Sequence, residues 1–143
     1  MTEELVEYPV RCHCGIVSGR FKYKKGDIIA WDCNCSDCFM RKNVHVVVPE
    51  RNFTVTMDVP FEEATILYQW GTKTAVRRFC KTCGVLPWYR PRSNPDGVGI
   101  TIYCVDWTDG GTIEEPNIEV RLYDGVNWEE SIKTSAITKQ SKA

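Results

Sequence analysis

Cys33-Asn34-Cys35-Ser36-Asp37-Cys38 sets three cysteines in six residues, and three is an incomplete number for a tetrahedral metal. Zinc that only holds a fold is closed by four protein ligands, whereas zinc that does chemistry keeps a position for water or substrate. Two further pairs decide which case applies: Cys12-His13-Cys14-Gly15 and Cys80-Lys81-Thr82-Cys83-Gly84. If clusters stay intact, adding either pair to the trio gives five thiolates, too many for a tetrahedron. The remaining partition puts Cys12, Cys14, Cys80 and Cys83 in one closed site and leaves Cys33, Cys35 and Cys38 alone in the other. The expectation is two zinc ions per chain, one structural and one with an open position.

Composition narrows the setting. A chain of 143 residues predicts one domain over 1–143, with a core from about 8 to 130 and a polar tail from 131 that frays. With 43% hydrophobic and 26% charged residues, an ordinary globular core is expected. A formal net charge of −1 supplies no field for nucleic acid or an anionic membrane. No apolar run approaches the ~20 residues of a membrane helix. Met1 to Val10 lacks the basic start and apolar core of a secretory signal. Eight cysteines without such a signal point to metal rather than disulfides and to a reducing compartment, cytoplasm or nucleus.

The pattern reads as all-β, mainly antiparallel, with little helix. Gly19–Tyr23 alternates, Lys25-Gly26-Asp27 is a turn signal and Ile28–Trp31 follows, which predicts a hairpin. Val44–Val48 is β-branched and stops at Pro49. Phe53–Met57 alternates. Ala64–Trp70 and Thr74–Phe79 flank Gly71-Thr72-Lys73, a second hairpin that delivers Cys80. Gly99–Val105 and Ile118–Tyr123 read as strands, and Cys38–Asn43 as the one helical turn.

Residues two apart on a strand share a face, so Cys12 and Cys14 can chelate one ion while His13 points away. Gly15 and Gly84 permit the positive φ that lets backbone N–H groups approach the sulfurs. Closing the loop between Cys14 and Cys80, 66 positions apart, costs about 3–4 kcal/mol. Structural zinc supplies roughly 10–16 kcal/mol, so the metal dominates and the closed site is a condition of folding. A zinc bound by three thiolates is a weak Lewis acid that favours a further soft ligand, such as a thiol. A thiol arriving there becomes a thiolate, a nucleophile for a small aldehyde. Cys104 and His45 are the residues able to close that position instead. Asp32, Ser36 and Asp37 read as turn formers, with an aspartate beside the metal able to handle a proton. Arg41, Lys42, Arg77, Arg78, Arg90 and Arg92 are cations for the carboxylates of a thiol such as glutathione. Trp31, Phe39, Trp70, Trp88, Tyr89 and Trp107 are aromatics for a pocket or a core.

The order Cys-His-Cys-Gly, Cys-Asn-Cys-Ser-Asp-Cys and Phe79-Cys80-Lys81-Thr82-Cys83-Gly84 resembles the glutathione-dependent formaldehyde-activating enzyme family. Tyr89–Gly97 and Tyr123-Asp124-Gly125-Val126-Asn127-Trp128 look like its centromere protein V branch. The resemblance implies a β-tent fold, a structural ion at Cys12, Cys14, Cys80 and Cys83, and a catalytic ion at Cys33, Cys35 and Cys38. It implies a carbon–sulfur lyase that joins glutathione to formaldehyde as S-hydroxymethylglutathione. The branch resemblance implies an alternative, a non-enzymatic zinc-stabilised module associated with chromatin or microtubules.

Overall fold

The alternation of Leu5–Arg11 turns Tyr8 and Val10 inward, and that of Ser18–Lys24 does the same for Phe21 and Tyr23. Paired antiparallel, these two segments present one apolar face. Tyr8, Phe21 and Trp107 fill it, with ring centroids 4.9–6.0 Å apart. In this computed structural model, residues 4–142 are described; the residues Met1 to Glu3 of the acidic start and Ala143 lie outside them. In chain order the strands are β1 (Leu5–Arg11), β2 (Ser18–Lys24), β3 (Ile28–Cys33), β4 (Val44–Pro49), β5 (Phe53–Val55), β6 (Thr65–Tyr68), β7 (Val76–Cys80), β8 (Trp88–Arg90), β9 (Gly97–Thr101) and β10 (Ile118–Tyr123). Three short helices are α1 (Ser36–Met40), α2 (Phe61–Ala64) and α3 (Trp128–Thr134).

The strands form a three-stranded sheet, β1-β2-β5, and a seven-stranded sheet, β10-β3-β4-β9-β8-β7-β6. All pairs are antiparallel except β10 with β3. The all-β reading therefore holds. β4, apolar except for His45, is buried along its whole length, as a strand covered on both faces requires. No helix among the described residues is long and apolar enough to cross a membrane.

Five expectations need correction, the first being the single helical turn at Cys38–Asn43, which lies earlier as α1 and is joined by α2 and α3. Gly19–Tyr23 and Ile28–Trp31 do not pair: β2 joins β1 and β5, whereas β3 joins β4 and β10. Lys25-Gly26-Asp27 turns the chain from one sheet into the other, held by Lys25 N–H to Glu4 O and Ile28 N–H to Asn117 O, both 2.9 Å. The strand expected to reach Val105 ends at Thr101, and Ile102–Cys104 forms a 3-10 turn. Thr56 and Met57 lie beyond β5. The tail does not fray within the described residues: α3 and a 3-10 turn over Ala136–Ser141 dock it, with Ile137 and Ser141 buried. Asn94 Nδ2 donates to Ile137 O (2.9 Å) and Ser141 Oγ (2.8 Å), a partner distant in sequence that a local reading cannot supply.

Candidate metal centres and their cavity

Cys12 follows β1 and Cys14 sits in the turn after it; Cys80 ends β7 and Cys83 lies in the next turn. Gly15 (φ 84°) and Gly84 (φ 78°) adopt the left-handed backbone the knuckles need. Gly15 N–H reaches Cys12 O (3.1 Å), Gly84 N–H reaches Cys80 O (2.8 Å), and Val17 N–H points at Cys12 Sγ (3.3 Å). The four sulfurs lie within 4.8 Å of one another. Cys12–Cys14 and Cys14–Cys80 are each 3.6 Å, close to the about 3.8 Å edge of a tetrahedral zinc–thiolate site with 2.3 Å bonds. The donor set fits zinc. Burial first, then shared S–H contacts with Cys14, Cys83 and Cys80, raise the Cys12 thiol to about 12 in the metal-free chain.

The trio is built differently. Cys33 ends β3, Cys35 is the N-cap of α1 and accepts Cys38 N–H at 3.4 Å, and Cys38 lies in the helix. Their sulfurs also fall within 4.8 Å of one another. Arg77 Nη2 stands 3.6 Å and Asn43 Nδ2 3.9 Å from Cys38 Sγ, donors that favour thiolates. S–H contacts from Cys33 and Cys38, with Cys38 N–H and Arg77 beyond them, hold Cys35 far below the usual thiol range. This arrangement also fits a thiolate-bound metal.

No further His, Cys, Asp or Glu donor among the described residues joins the trio. His45 is buried beside it but committed elsewhere: Nδ1 lies 3.1 Å from Asn43 O and so donates, leaving Nε2 to accept from Tyr89 Oη at 3.2 Å. Burial lowers its pKa to about 4, so the ring is neutral. Cys104 sits in the 3-10 turn after β9, half-buried in a separate groove with Cys12 and Gly84. Neither residue that the sequence offered for the fourth position supplies it.

What faces the trio is a cavity of about 180 Å³, walled by Trp70, Tyr89, Tyr123 and Trp128, with Arg77 and Arg92 as its cations. Of the aromatics read from sequence, Trp70 and Tyr89 line it; Trp88 and Trp107 belong to the main core, Trp31 to a second core cluster, and Phe39 is exposed. Arg77 is nearly fully buried, with Nε 2.5 Å from Asp37 Oδ2 and its guanidinium 4.6 Å above the Tyr89 ring. Asp37 also takes Arg41 Nε at 2.5 Å and Trp70 Nε1 at 3.3 Å. Asp37 is thus an anchor for two arginines rather than a free acid at the metal, and it does not line the cavity. Asp32 is exposed. Arg78 and Arg90 lie elsewhere, Arg90 on Glu50 and on the carbonyls of Pro95 and Gly97.

Several cavity residues escaped a site assignment from sequence. The parallel β10–β3 register sets Tyr123 opposite Cys33. Asn34 then clamps the following loop, with Nδ2 on Asp124 Oδ1 and Oδ1 accepting Val126 N–H, both 3.0 Å. This brings Gly125 so near that a Cβ there would overlap Cys33 Sγ and meet Cys35 Cβ at 3.1 Å. The Tyr123 hydroxyl is buried without a hydrogen-bond partner among the described residues. The signal was the run Tyr123–Trp128, an aromatic at each end around Asp124-Gly125, legible as a motif but not as a wall of this cavity.

The model of the glutathione-dependent formaldehyde-activating enzyme family matches residues 7–123, a span that holds both cysteine groups. The chain belongs to this family. A crystal structure of a Rhodobacter sphaeroides protein, a structural-genomics target, is similar with a TM-score of 0.62 and 29% identity. The match covers 78% of this chain and 99% of that one. Gly125, Trp128 and Ile137 of the cavity lie beyond the matched family span.

Proposed function

We propose that this family member is a carbon–sulfur lyase that interconverts a thiol plus a small aldehyde with their S-hydroxymethyl-type adduct, glutathione and formaldehyde being the reference pair. The carrying observation is a three-thiol group with no fourth protein donor among the described residues and a cavity directly against it. Cys12, Cys14, Cys80 and Cys83 would hold a structural zinc, and Cys33, Cys35 and Cys38 a catalytic one. Bound zinc would supply the soft electrophilic position that acidifies an incoming thiol. In the addition, sulfur donates an electron pair to the carbonyl carbon, the C=O π pair moves to oxygen, and the proton given up by the thiol ends on that oxygen.

The chain's own residues prepare this step. Arg77 places a buried positive charge beside Cys38, anchored by Asp37, and so favours the anionic state of the trio. Neutral His45 fixes Tyr89, which floors the cavity without adding charge. Trp70, Tyr123 and Trp128 exclude water, which strengthens these electrostatic effects. The alternative, a zinc-stabilised binding module of the centromere protein V kind, has no use for a walled cavity over reactive thiols, and this favours the enzyme. One functional unit over 1–143 in a reducing compartment accompanies the reading.

Metal analysis with thiol titration tests it. Wild type should carry two zinc ions, and millimolar glutathione should shift the spectrum of the cobalt-substituted trio. Cys35→Ser should retain one zinc and the fold while losing activity, whereas Cys80→Ser should fail to fold. Equal collapse of both variants, or a spectrum unmoved by thiol, refutes the proposal.

A further inference from the structure

The seven-stranded sheet ends on β10, whose outer edge has no strand partner among the described residues. Asn117 O accepts Ile28 N–H at 2.9 Å and Tyr123 O accepts Asn34 N–H at 3.1 Å, so the odd-numbered carbonyls face β3. Backbone groups alternate sides along a strand. The N–H and C=O groups of Ile118, Val120 and Leu122 therefore point away from the sheet, a row of donors and acceptors open to pairing. The side chains beside them are uncovered as well: Val120 is 51% and Leu122 83% exposed, although both are apolar.

Edge strands are commonly blunted by charge, and β10 carries Glu119 and Arg121. These two meet along the strand, Arg121 Nη2 to Glu119 Oε2 at 3.0 Å, on the face opposite to Val120 and Leu122. What they do at the edge depends on register. Let β10 pair antiparallel with β10 of a second copy, centred on Val120. Glu119 then lies opposite the partner's Arg121, and Arg121 opposite the partner's Glu119. Val120 meets its own counterpart and Leu122 meets Ile118, so the apolar face runs unbroken across the join. Outward backbone groups meet outward backbone groups, as the hydrogen-bonded pairs of an antiparallel ladder require. A slip of one residue sets these open groups against groups already bonded to β3. A slip of two sets Glu119 against Glu119, or Arg121 against Arg121, and like charges directly opposite destabilise a sheet. The strand is complementary to itself in one register and repelled in its neighbours.

We infer that the outer edge of β10 is an isologous interface, and that its occupant is β10 of a second copy of this chain in the Val120-centred register. The two seven-stranded sheets then continue into one. Because β10 ends at Tyr123, opposite Cys33, the join also converts the strand beside the trio from an edge strand into an interior one. The inference stands apart from the chemistry proposed for the trio.

Sedimentation velocity of the zinc-loaded full chain, from about 5 to 500 μM, tests it over a range suited to an interface below standard size. Wild type should pass from monomer to dimer. Glu119→Arg and Arg121→Glu each set like charges across the join and should stay monomeric. Mixed in equal amounts, the two variants should dimerise, since each then faces opposite charge; misfolded variants cannot do this. Amide exchange followed by NMR reads the register. The N–H groups of Ile118, Val120 and Leu122 should exchange about three- to tenfold more slowly in wild type than in Glu119→Arg at the same high concentration, while those of Glu119 (Arg in the variant) and Arg121, bonded to β3, change little. A wild type that stays monomeric throughout refutes the inference. So does a dimer that survives in both single variants, a mixture of the two that stays monomeric, or protection that does not alternate along β10.

Discussion

Asp37→Asn should destabilise the zinc-loaded protein by about 3 kcal/mol. The Asp37 and Arg77 side chains are 8% and 5% exposed, with Nε–Oδ2 at 2.5 Å. Removing one partner of a buried pair costs about 3–5 kcal/mol, because the other charge stays desolvated. Arg77 keeps Cys38 Sγ at 3.6 Å and the Tyr89 ring at 4.6 Å, which puts the loss at the lower end. Arg41, also on Asp37, is 27% exposed and recovers water. At about 2–4 °C per kcal/mol for a chain of this size, Tm should fall by roughly 6–12 °C. Thermal unfolding followed by circular dichroism in zinc-replete buffer reads the shift. Asp37→Asn with Arg77→Met should recover most of it, because the stranded charge is gone. A single variant within about 2 °C of wild type, or a double variant losing the sum of both singles, refutes this account of Arg77.

Other expectations follow from single groups. His45 has a folded pKa of about 4 against an ordinary 6.5, so its effect on stability is absent above pH 6.5. As pH falls, the unfolded chain takes up a proton that the folded one refuses, and stability declines by about 2 kcal/mol at pH 5. His45→Gln should flatten that slope in urea unfolding; parallel pH profiles would exclude His45 as its source. Gly125→Ala should push Cys33 Sγ aside and cost the trio its metal while leaving the tetrad loaded, so zinc content should drop from two to one; unchanged content refutes the close approach. Tyr123→Phe removes a buried hydroxyl without a partner among the described residues and should be neutral or stabilising by up to about 1 kcal/mol in denaturant titration, whereas a loss beyond about 1 kcal/mol would reveal a partner.

The grouping of the cysteines was more legible in the sequence than the pairing of the strands. Counting thiolates separates the tetrad from the trio because coordination number is a local rule that ignores topology. Strand positions also came through, since β4 carries its burial in its own residues and β10 its strand signal in an alternation that ends on buried Tyr123. Sheet membership did not. Lys25-Gly26-Asp27 reads as a hairpin turn, yet β3 finds its partner in β10, far along the chain. Arg77 could not be ranked above five other cations, because its importance comes from Asp37 and Cys38, which share its site only after folding. The tail was misjudged for the same reason: Ser141 is polar, and Asn94, which donates to its hydroxyl, together with Asp96, which accepts from it, makes its burial tolerable.

The parallel pairing of β10 with β3 also orders events during synthesis. Asn34 and Asp124 are 90 positions apart, so a nascent chain emerges with its three thiols uncovered long before their lid exists. Access to Cys33, Cys35 and Cys38 is thereby separable in time from their enclosure. These sulfurs stay open to solvent until the segment that holds Asp124 has been made and can reach Asn34.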